Sequence, residues 1–242
     1  MKDRVGVWVE ALRVIPAVTK QQWDDYDVIA RWLIATRSAV LVMTLVSALV
    51  AGLLAFRDGR FDAVVWALIA VGLVFAHAAN NLINDLTDHA KGVDAGNYFR
   101  AQYGPQPLEH GLMTRATMLR YIGVTLGIAL AAGVALVVLR GGATLTLLGI
   151  GLVFVLFYTW PMKFIGLGEV AVLVVWGPLM VGGGYYVLSG QCDLDVMMAS
   201  VPLSLGATTV IFGKHIDKLE QGFLKFLRQQ FFQFSGVIPV SG

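Results

Sequence analysis

Six long apolar stretches constrain this chain more than any other feature of its sequence. Each has between 16 and 19 residues, close to the roughly 20 that a helix needs to cross about 30 Å of hydrocarbon, and polar turns or loops separate them. A helix pairs all of its backbone polar groups within itself, which the interior of a bilayer demands. We therefore predict membrane-spanning helices over residues 38–56, 63–79, 121–139, 143–158, 170–188 and 196–213.

The composition agrees with this prediction. Hydrophobic residues make up 57% of the chain and charged residues 14%, whereas soluble domains carry about 25% charged residues. The single cysteine, Cys192, excludes a disulfide within the chain. No basic cluster interleaved with aromatic residues indicates a nucleic-acid partner, and residues 1–30 do not resemble a cleavable signal peptide. The predicted fold is an all-α, polytopic transmembrane helical bundle of about six spans.

The distribution of positive charge predicts the orientation of these spans. Six crossings place the N-terminus, the end of the second span, the loop after the fourth and the end of the sixth on one face. All Lys and Arg residues except Arg57, Arg60 and Arg140 lie on that face. Because short cytoplasmic loops carry an excess of Lys and Arg, we expect a multi-pass protein of the cell membrane with this face toward the cytoplasm.

Two segments outside the spans are also informative. Residues 1–30 mix apolar and charged residues at roughly helical spacing, which is typical of an interfacial or cytoplasmic helix lying on the membrane; a disordered tail is the alternative interpretation. Residues 89–119 form a long polar loop, which is unusual in a compact protein. That loop is therefore a candidate functional element.

The second span ends in a polar stripe. At about 100° per residue, one side of its helix carries His77, Asn80, Asn81, Asn84, Asp85 and Asp88. Ionisable groups are costly at membrane depth, so the stripe is expected to face a wet cavity. Two carboxylates one turn apart with amides beside them suit Mg²⁺, which proteins hold through one or two carboxylates plus substrate phosphates. A polar helix end that merely reaches the interface is the alternative interpretation.

A second charged cluster follows the sixth span on the same face. Asp217 comes three residues after Lys214, so both lie on one side of a helix end, with Lys218 beside them. Taken alone, this cluster fits a solvated helix terminus equally well. Two acidic clusters on one face favour a shared cavity, in which Mg²⁺ ions could hold a diphosphate between opposed carboxylates.

The first of these motifs resembles that of the UbiA superfamily of intramembrane aromatic prenyltransferases. The family's pattern Asn-Asp-x-x-Asp, with a further Asp downstream, is matched by Asn84, Asp85, Asp88 and Asp94. The fuller form from Asn81 looks most like the branch that prenylates 1,4-dihydroxy-2-naphthoate on the way to menaquinone.

The resemblance extends over most of the chain, from about residue 31 to residue 221. Residues 158–169 are similar to the family's segment after the fourth helix, and residues 212–217 occupy the place of its second aspartate motif. Arg37 resembles the arginine that the family carries near the start of the first span.

The resemblance implies an Mg²⁺-dependent enzyme that transfers a polyprenyl group from its diphosphate to an aromatic quinone precursor. The implied metal ligands are Asp85, Asp88 and Asp217. The implied diphosphate-binding residues are Arg37, Asn81, Asn84, Lys91, Lys163 and Lys214. The implied catalytic residues are Lys91, Asp94 and Tyr158.

Several of these roles have alternatives at the level of sequence. Asp94 or a water would remove the proton of the aromatic ring. Tyr158 would shield an allylic cation, or would instead anchor its helix at the interface. His77 and Asn80 would contact substrate, or would only form hydrogen bonds between packed spans.

Other functions are compatible with parts of this sequence pattern. Within the same chemistry the acceptor could be 4-hydroxybenzoate, homogentisate, a tetrapyrrole or a glycerol phosphate. A CDP-alcohol phosphotransferase is excluded by the absence of its Asp-Gly-x-x-Ala-Arg run. A membrane transporter that binds cations is the non-enzymatic alternative, and it would not require a diphosphate.

The sequence departs from the family near its C-terminus. The second motif usually carries another Asp near position 222, where this chain has glycine, and Glu220 is the nearest acid. About nine spans are usual in the family, and residues 222–242 lose all resemblance. We therefore expect a bundle over residues 31–221, incomplete relative to the family, an aberrant tail over residues 222–242, and weak or no activity of this chain alone.

Overall fold

The computed structural model describes residues 3–91, 104–163 and 165–213. Three short helices come first: α1 (Arg4–Arg13), α2 (Lys20–Asp25) and α3 (Val28–Ala35). Helix α1 packs on α3, and the two meet the spans in a buried apolar cluster that includes Ala11, Trp23, Ile34, Leu82 and Met118. The N-terminal segment is thus helical and packed on the bundle, while its position in the membrane interface stays a prediction.

Six helices in the described ranges are long and apolar enough to cross a membrane, which confirms the predicted helical bundle. They are α4 (Ser38–Arg57), α5 (Ala63–Ala90), α6 (Arg115–Arg140), α7 (Thr144–Met162), α8 (Gly168–Ser189) and α9 (Leu194–Gly213).

Two boundaries differ from the predicted ones in ways that matter for function. Helix α5 continues past residue 79 to Ala90, so the apolar span and the polar stripe belong to one uninterrupted helix. Helix α7 continues to Met162, although Trp160 within it has an extended backbone (φ −141°, ψ 123°) that kinks the helix. Of the predicted polar loop, residues 92–103 lie outside the described residues.

Successive spans run antiparallel, so the ends of α5, α7 and α9 share a face with the starts of α4, α6 and α8. We call this the site face and the opposite one the far face. Helix α5 packs along α4 and α6, and α4 also packs against α8. Small residues let these helices approach closely, since Ala48, Ala51 and Ala55 of α4 are fully buried.

Polar side chains hold the turns of the far face together. Asp62 caps the start of α5 by accepting from the N–H groups of Val64 and Val65, and its other carboxylate oxygen accepts from Arg140 Nη2 at 2.9 Å. The Tyr185 hydroxyl donates to Asp58 Oδ2 at 2.8 Å. These contacts tie the α4–α5 turn to the ends of α6 and α8.

The packing of α4 on α5 should be sensitive to the size of the side chain at Gly52. A Cβ built there lies 2.6 Å from ring atoms of Trp66, whose indole N–H donates to the Ala48 carbonyl at 2.9 Å and so resists displacement. We expect Gly52→Ala to destabilise the protein by about 1–3 kcal/mol through overpacking, measured by thermal unfolding in detergent. The control Gly127→Ala, where a Cβ meets no atom within 4 Å, should be neutral or slightly stabilising.

Asp27 links the N-terminal helices to the segment that leads into α4. It caps α3 by accepting from the Ala30 N–H at 2.9 Å, and it accepts from Trp8 Nε1 at 3.1 Å. The Ala30 N–H bond is the main cause that lowers the pKa of Asp27 below its ordinary value, and the Trp8 bond also lowers it.

This lowered pKa predicts a pH dependence of the packing between α1 and α3. A carboxylate with a lowered folded-state pKa stabilises the fold above its unfolded-state pKa of about 3.9, and that stabilisation disappears as the pH falls through the lower, folded-state value. Asp27→Asn keeps a capping oxygen but does not titrate. We expect amide hydrogen exchange in α3 to accelerate on acidification in the parent protein and less so in the variant. An identical pH profile in both would contradict this account.

Candidate active site

The last turns of α5 present their polar stripe to two different neighbours. Helical spacing points Asn81 and Asp85 toward the junction of α3 and α4, whereas Asn84 and Asp88 point toward the end of α7. The carboxylates are deeply buried, with Asp85 3% and Asp88 0% exposed. Burying a carboxylate is costly unless it is paired and hydrogen-bonded, so the neighbours must supply compensating charge.

Arg37 supplies that charge on the α4 side. Its guanidinium Nη2 donates to Asp85 Oδ1, and one turn earlier on α5 the amide nitrogen of Asn81 donates to the Thr36 carbonyl at 2.8 Å. Arg37 has a left-handed backbone (φ 54°, ψ 53°), a conformation that costs about 1 kcal/mol or more for a residue with a Cβ. The junction thus holds a strained residue with its guanidinium against α5.

Lys163 supplies positive charge on the α7 side. Its ammonium group lies 3.0 Å from Asp88 Oδ2 and 3.3 Å from the amide oxygen of Asn84. The Thr159 hydroxyl donates to the same amide oxygen at 3.4 Å. Residues 158–163 therefore bring a hydroxyl and an ammonium group onto the stripe, across the kink at Trp160.

A third cation stands at the end of α5. The Lys91 ammonium lies 2.9 Å from the centroid of the Trp160 ring, the arrangement of a cation–π contact. Because Trp160 belongs to the same kinked segment as Lys163, this contact ties the end of α5 to that segment. Two cationic side chains therefore pair with the two buried carboxylates, and Lys91 follows Asp88 by three residues on the same helix end.

An apolar cavity of about 650 Å³ reaches this region through Arg37, while Asp85, Asp88, Lys91 and Lys163 are not among its lining residues. Its rim on the site face includes Arg37, Asn81 and Tyr158, and every span from α4 to α9 contributes to its walls. Below the rim the lining is almost entirely aliphatic, with Leu130, Leu148 and Met180 among its residues. A charged headgroup with a long apolar tail is the kind of ligand that such a shape can accept.

His77 and Asn80 lie at the upper wall of this cavity and are both hydrogen-bonded to neighbouring spans. His77 Nδ1 lies 2.7 Å from the Thr44 hydroxyl, and its ring meets Trp176 edge to face with centroids 5.2 Å apart. The Asn80 amide nitrogen donates to the Val155 carbonyl at 3.0 Å. These bonds support a role of His77 and Asn80 in helix packing. Because both side chains also line the cavity, contact with a substrate stays the alternative.

The donor set at the stripe suits a hard cation such as Mg²⁺. Among the described residues, no three His, Cys, Asp or Glu side chains come together as a metal site. Magnesium does not require such a cluster, because it is usually held by one or two carboxylates together with substrate phosphates and waters. Asp85, Asp88 and the amide oxygen of Asn84, which all lie within two turns of α5, provide oxygen donors of this kind, so the residues present fit the ion.

The structure brings together most of the site residues expected from the sequence. Those found around the stripe and the cavity rim are Arg37, Asn81, Asn84, Asp85, Asp88, Lys91, Tyr158 and Lys163. Asp94, Lys214 and Asp217 lie outside the described residues, so their roles stay predictions.

Three residues of this site were not singled out from the sequence: Thr36, Thr159 and Trp160. Thr159 and Lys163 are four residues apart, but the extended backbone of Trp160 lies between them, so helical spacing could not have placed both on one face. The contact between Trp160 and Lys91 had no signal in the sequence either, since it joins the ends of two different spans.

The Arg37–Asp85 pair predicts a specific pattern of stabilities. Removing one partner of a buried pair leaves the other charge poorly compensated and typically costs about 3–5 kcal/mol. We expect Arg37→Met to destabilise the protein by about that amount in thermal unfolding, and the double variant Arg37→Met/Asp85→Asn to recover part of the loss. Additive effects of the two substitutions would show that the pair is not energetically coupled.

Comparison with known proteins identifies the family of this chain. A model of the UbiA prenyltransferase family matches residues 44–222. The 1,4-dihydroxy-2-naphthoate octaprenyltransferase of Escherichia coli (strain K12) is 30% identical over 192 residues, which cover 74% of this chain and 60% of that protein. The UbiA prenyltransferase domain-containing protein 1 of Gallus gallus is 27% identical over 200 residues, which cover 79% of this chain and 58% of that protein.

The chain therefore spans about 60% of the length of the curated relatives named here. No solved structure matches it significantly. The family model covers well over half of the chain, and it includes the whole polar stripe and the kinked segment of α7. This multi-pass membrane chain belongs to the UbiA prenyltransferase family.

Proposed function

We propose that this protein transfers a polyprenyl group from its diphosphate to an aromatic quinone precursor, with Mg²⁺ as cofactor. One observation carries the proposal: Asp85 and Asp88 are buried and paired with Arg37 and Lys163, and Arg37 also lines the rim of an apolar cavity. A diphosphate with its metal fits the charged mouth, and an isoprenoid tail fits the cavity.

Asp85 and Asp88 would hold Mg²⁺, with Asn81 and Asn84 supporting the site and Asp217 contributing from beyond the described residues. When bound, the ion would neutralise charge on the diphosphate and so make it a better leaving group. The amide of Asn81 is already fixed by its bond to the Thr36 carbonyl. This bond helps to orient α5 before any ligand arrives, which lowers the cost of binding.

Arg37, Lys91 and Lys163 would bind the phosphate oxygens, joined by Lys214 at the end of the sixth span. In this structure Arg37 and Lys163 balance the two carboxylates, so they are already in place beside the position proposed for the diphosphate. Their charge would act most strongly as the carbon–oxygen bond of the donor breaks and its electron pair passes to the diphosphate. Stabilisation that grows toward the transition state is what accelerates the reaction.

The allylic carbon left behind would be attacked by an electron-rich carbon of the acceptor ring, forming a carbon–carbon bond. The ring then loses a proton, which Asp94 or a water would accept. Tyr158, on the cavity rim, would shield the allylic cation through its ring face. The aliphatic side chains below would limit the access of water, which quenches such a cation.

We further propose 1,4-dihydroxy-2-naphthoate, or a closely related ring, as the acceptor in menaquinone biosynthesis. The support is the form of the motif from Asn81 to Asp94 and the naphthoate named for the Escherichia coli relative. The excess of Lys and Arg on the site face supports a cytoplasmic active site in the cell membrane.

The direct test is an assay of purified membranes that contain this chain, with Mg²⁺, a labelled polyprenyl diphosphate and a panel of aromatic acceptors. Even slow formation of a prenylated naphthoate, or of the naphthoquinol that results when its carboxylate leaves as CO₂, would support the proposal if it depends on Mg²⁺ and if 4-hydroxybenzoate and homogentisate give no prenylated product. Binding of cations without any requirement for a diphosphate would support the transporter alternative.

The metal assignment predicts the effect of removing single charges. Asp85→Asn and Asp88→Asn retain the shape of the side chain but lose a negative oxygen ligand, so Mg²⁺-dependent binding of polyprenyl diphosphate should weaken by about a hundredfold. Asp24→Asn, an exposed acid outside the site, is the matched control and should bind normally. The measurement is the affinity for polyprenyl diphosphate in the presence of Mg²⁺ and in the presence of a chelator. If this affinity depends on Mg²⁺ in both site variants as it does in the parent chain, the assignment is refuted.

A further inference from the structure

A second, smaller cavity lies at the site-face end of the bundle, apart from the site described above. Its volume is about 180 Å³, and its lining includes Lys20, Trp23 and Arg31 from the N-terminal helices and Thr117 and Tyr121 from α6. It shares no lining residue with the large apolar cavity. A ligand in this small cavity would therefore be distinct from the substrates of the proposed reaction.

Arg31 brings to this cavity a positive charge that carbonyl groups hold but do not neutralise. Its Nε donates to the Trp23 carbonyl at 2.9 Å, and its Nη2 donates to the Asp24 carbonyl at 2.8 Å. Within the described part of the chain, no carboxylate forms an ion pair with Arg31. A guanidinium has five N–H donors, so donors remain for an anion in the cavity.

Lys20 adds a second positive charge to the same cavity. Its ammonium group lies 2.6 Å from Asp24 Oδ1, and both side chains are 55% exposed. Exposed pairs of this kind are weak, so Lys20 can turn from Asp24 to another anion at little cost. The charged side chains that line the cavity are Lys20, Asp24 and Arg31, which leave it with a net positive charge.

The contact between α3 and α6 places this cavity close to the membrane surface. Trp32, which follows Arg31, donates its indole N–H to the Thr125 hydroxyl oxygen at 2.9 Å and so holds α3 against the span. Tyr121, one turn earlier on α6, lines the cavity, and tyrosine is enriched where membrane spans meet water. We therefore expect the lipid headgroups of the site-face leaflet at the depth of this cavity.

The side of α6 that lines this cavity continues into the span as an exposed apolar stripe. Thr117, Tyr121, Val124 and Ile128 recur at intervals of four, three and four residues, which places them on one side of the helix. Val124 and Ile128 are 65% and 38% exposed, and apolar side chains exposed on a membrane span are as compatible with lipid tails as with protein. The charged cavity and the apolar stripe are thus arranged like the headgroup and the acyl chain of a phospholipid.

We propose that this cavity binds the phosphate group of an anionic phospholipid, with an acyl chain of that lipid along Val124 and Ile128. Arginine recognises phosphate through paired N–H bonds, and basic pockets between membrane helices on the cytoplasmic side bind acidic headgroups. Free phosphate would meet the same charges but would leave the apolar stripe unused. The alignment of charge and stripe on α6 therefore favours the lipid.

Such a lipid would join parts of the chain that are distant in sequence. Its phosphate would contact α2 and α3, and its acyl chain would contact α6. A ligand that binds only the folded chain stabilises it increasingly as the ligand concentration rises. The bound lipid would thus strengthen the attachment of the N-terminal helices to the bundle.

The test measures lipid binding by the purified 242-residue chain with native mass spectrometry in a neutral detergent. Dioleoylphosphatidylglycerol is the anionic probe. Dioleoylphosphatidylcholine has the same phosphate and acyl chains but no net charge, and inorganic phosphate is added separately as a competitor. No polyprenyl diphosphate is present, so the outcome is independent of the proposed function.

Two variants change the charge of the cavity in different ways. Arg31→Gln removes its main positive charge but also alters the bonds to α2. Thr117→Asp places a carboxylate in the cavity and removes neither carbonyl partner of Arg31, and the first turn of a helix favours an acid. Arg115→Gln is the matched control, because Arg115 is an exposed residue of the same turn of α6 and does not line the cavity. Thermal unfolding without added lipid checks that each variant folds.

We expect the parent chain to bind phosphatidylglycerol about tenfold more tightly than phosphatidylcholine. Arg31→Gln and Thr117→Asp should each weaken the binding of phosphatidylglycerol by about tenfold, since each disrupts a hydrogen-bonded charge pair. The preference between the two lipids should largely disappear in both variants. Arg115→Gln should follow the parent chain.

Several results would overturn the inference. Equal affinity of the parent chain for the two lipids would show that the cavity does not select an anion. Unchanged affinity for phosphatidylglycerol in Thr117→Asp would show that the lipid does not bind there, whether or not Arg31→Gln folds. An equal loss in Arg115→Gln and Arg31→Gln would indicate non-specific attraction. Displacement of phosphatidylglycerol by an equal concentration of inorganic phosphate would assign the cavity to free phosphate instead of a lipid.

Discussion

The burial of two carboxylates at the end of α5 is the constraint on which the rest of this structure depends. Asp85 and Asp88 are almost inaccessible, and charges so placed persist only when other parts of the chain bring compensating charge to them. The α3–α4 junction brings Arg37 and the kinked end of α7 brings Lys163. Pairing these charges therefore fixes where three separate segments must meet.

In a bilayer, polar contacts of this kind also determine how the helices are positioned against one another. Helices in a bilayer have little hydrophobic reason to associate, since lipid tails are as apolar as leucine, so close packing and hydrogen bonds must position them. Here polar contacts concentrate at the two faces, while the middle of the bundle contains an apolar cavity. The bundle can thus surround an apolar cavity without losing the contacts that hold its helices in register.

Much of this arrangement could be predicted from sequence because it is local. Hydropathy and length identified six spans, and helical spacing placed Asn84, Asp85 and Asp88 on one side of α5. The partners of those side chains could not be predicted from spacing, because they depend on which helices become neighbours in three dimensions. The contact between Lys91 and Trp160 is of this kind, and so is the bond from Asn81 to a backbone carbonyl.

The ion pair between Arg140 and Asp62 differs from those of the site face in one respect. Its side chains are 33% and 44% exposed, whereas Asp85 and Asp88 are buried. Dissolved salt screens exposed charges over about 8–10 Å at ordinary ionic strength and affects buried pairs much less. The ion pairs at the two ends of the bundle therefore differ in how strongly dissolved salt weakens them. High ionic strength would loosen the turns of the far face while leaving the charged mouth intact.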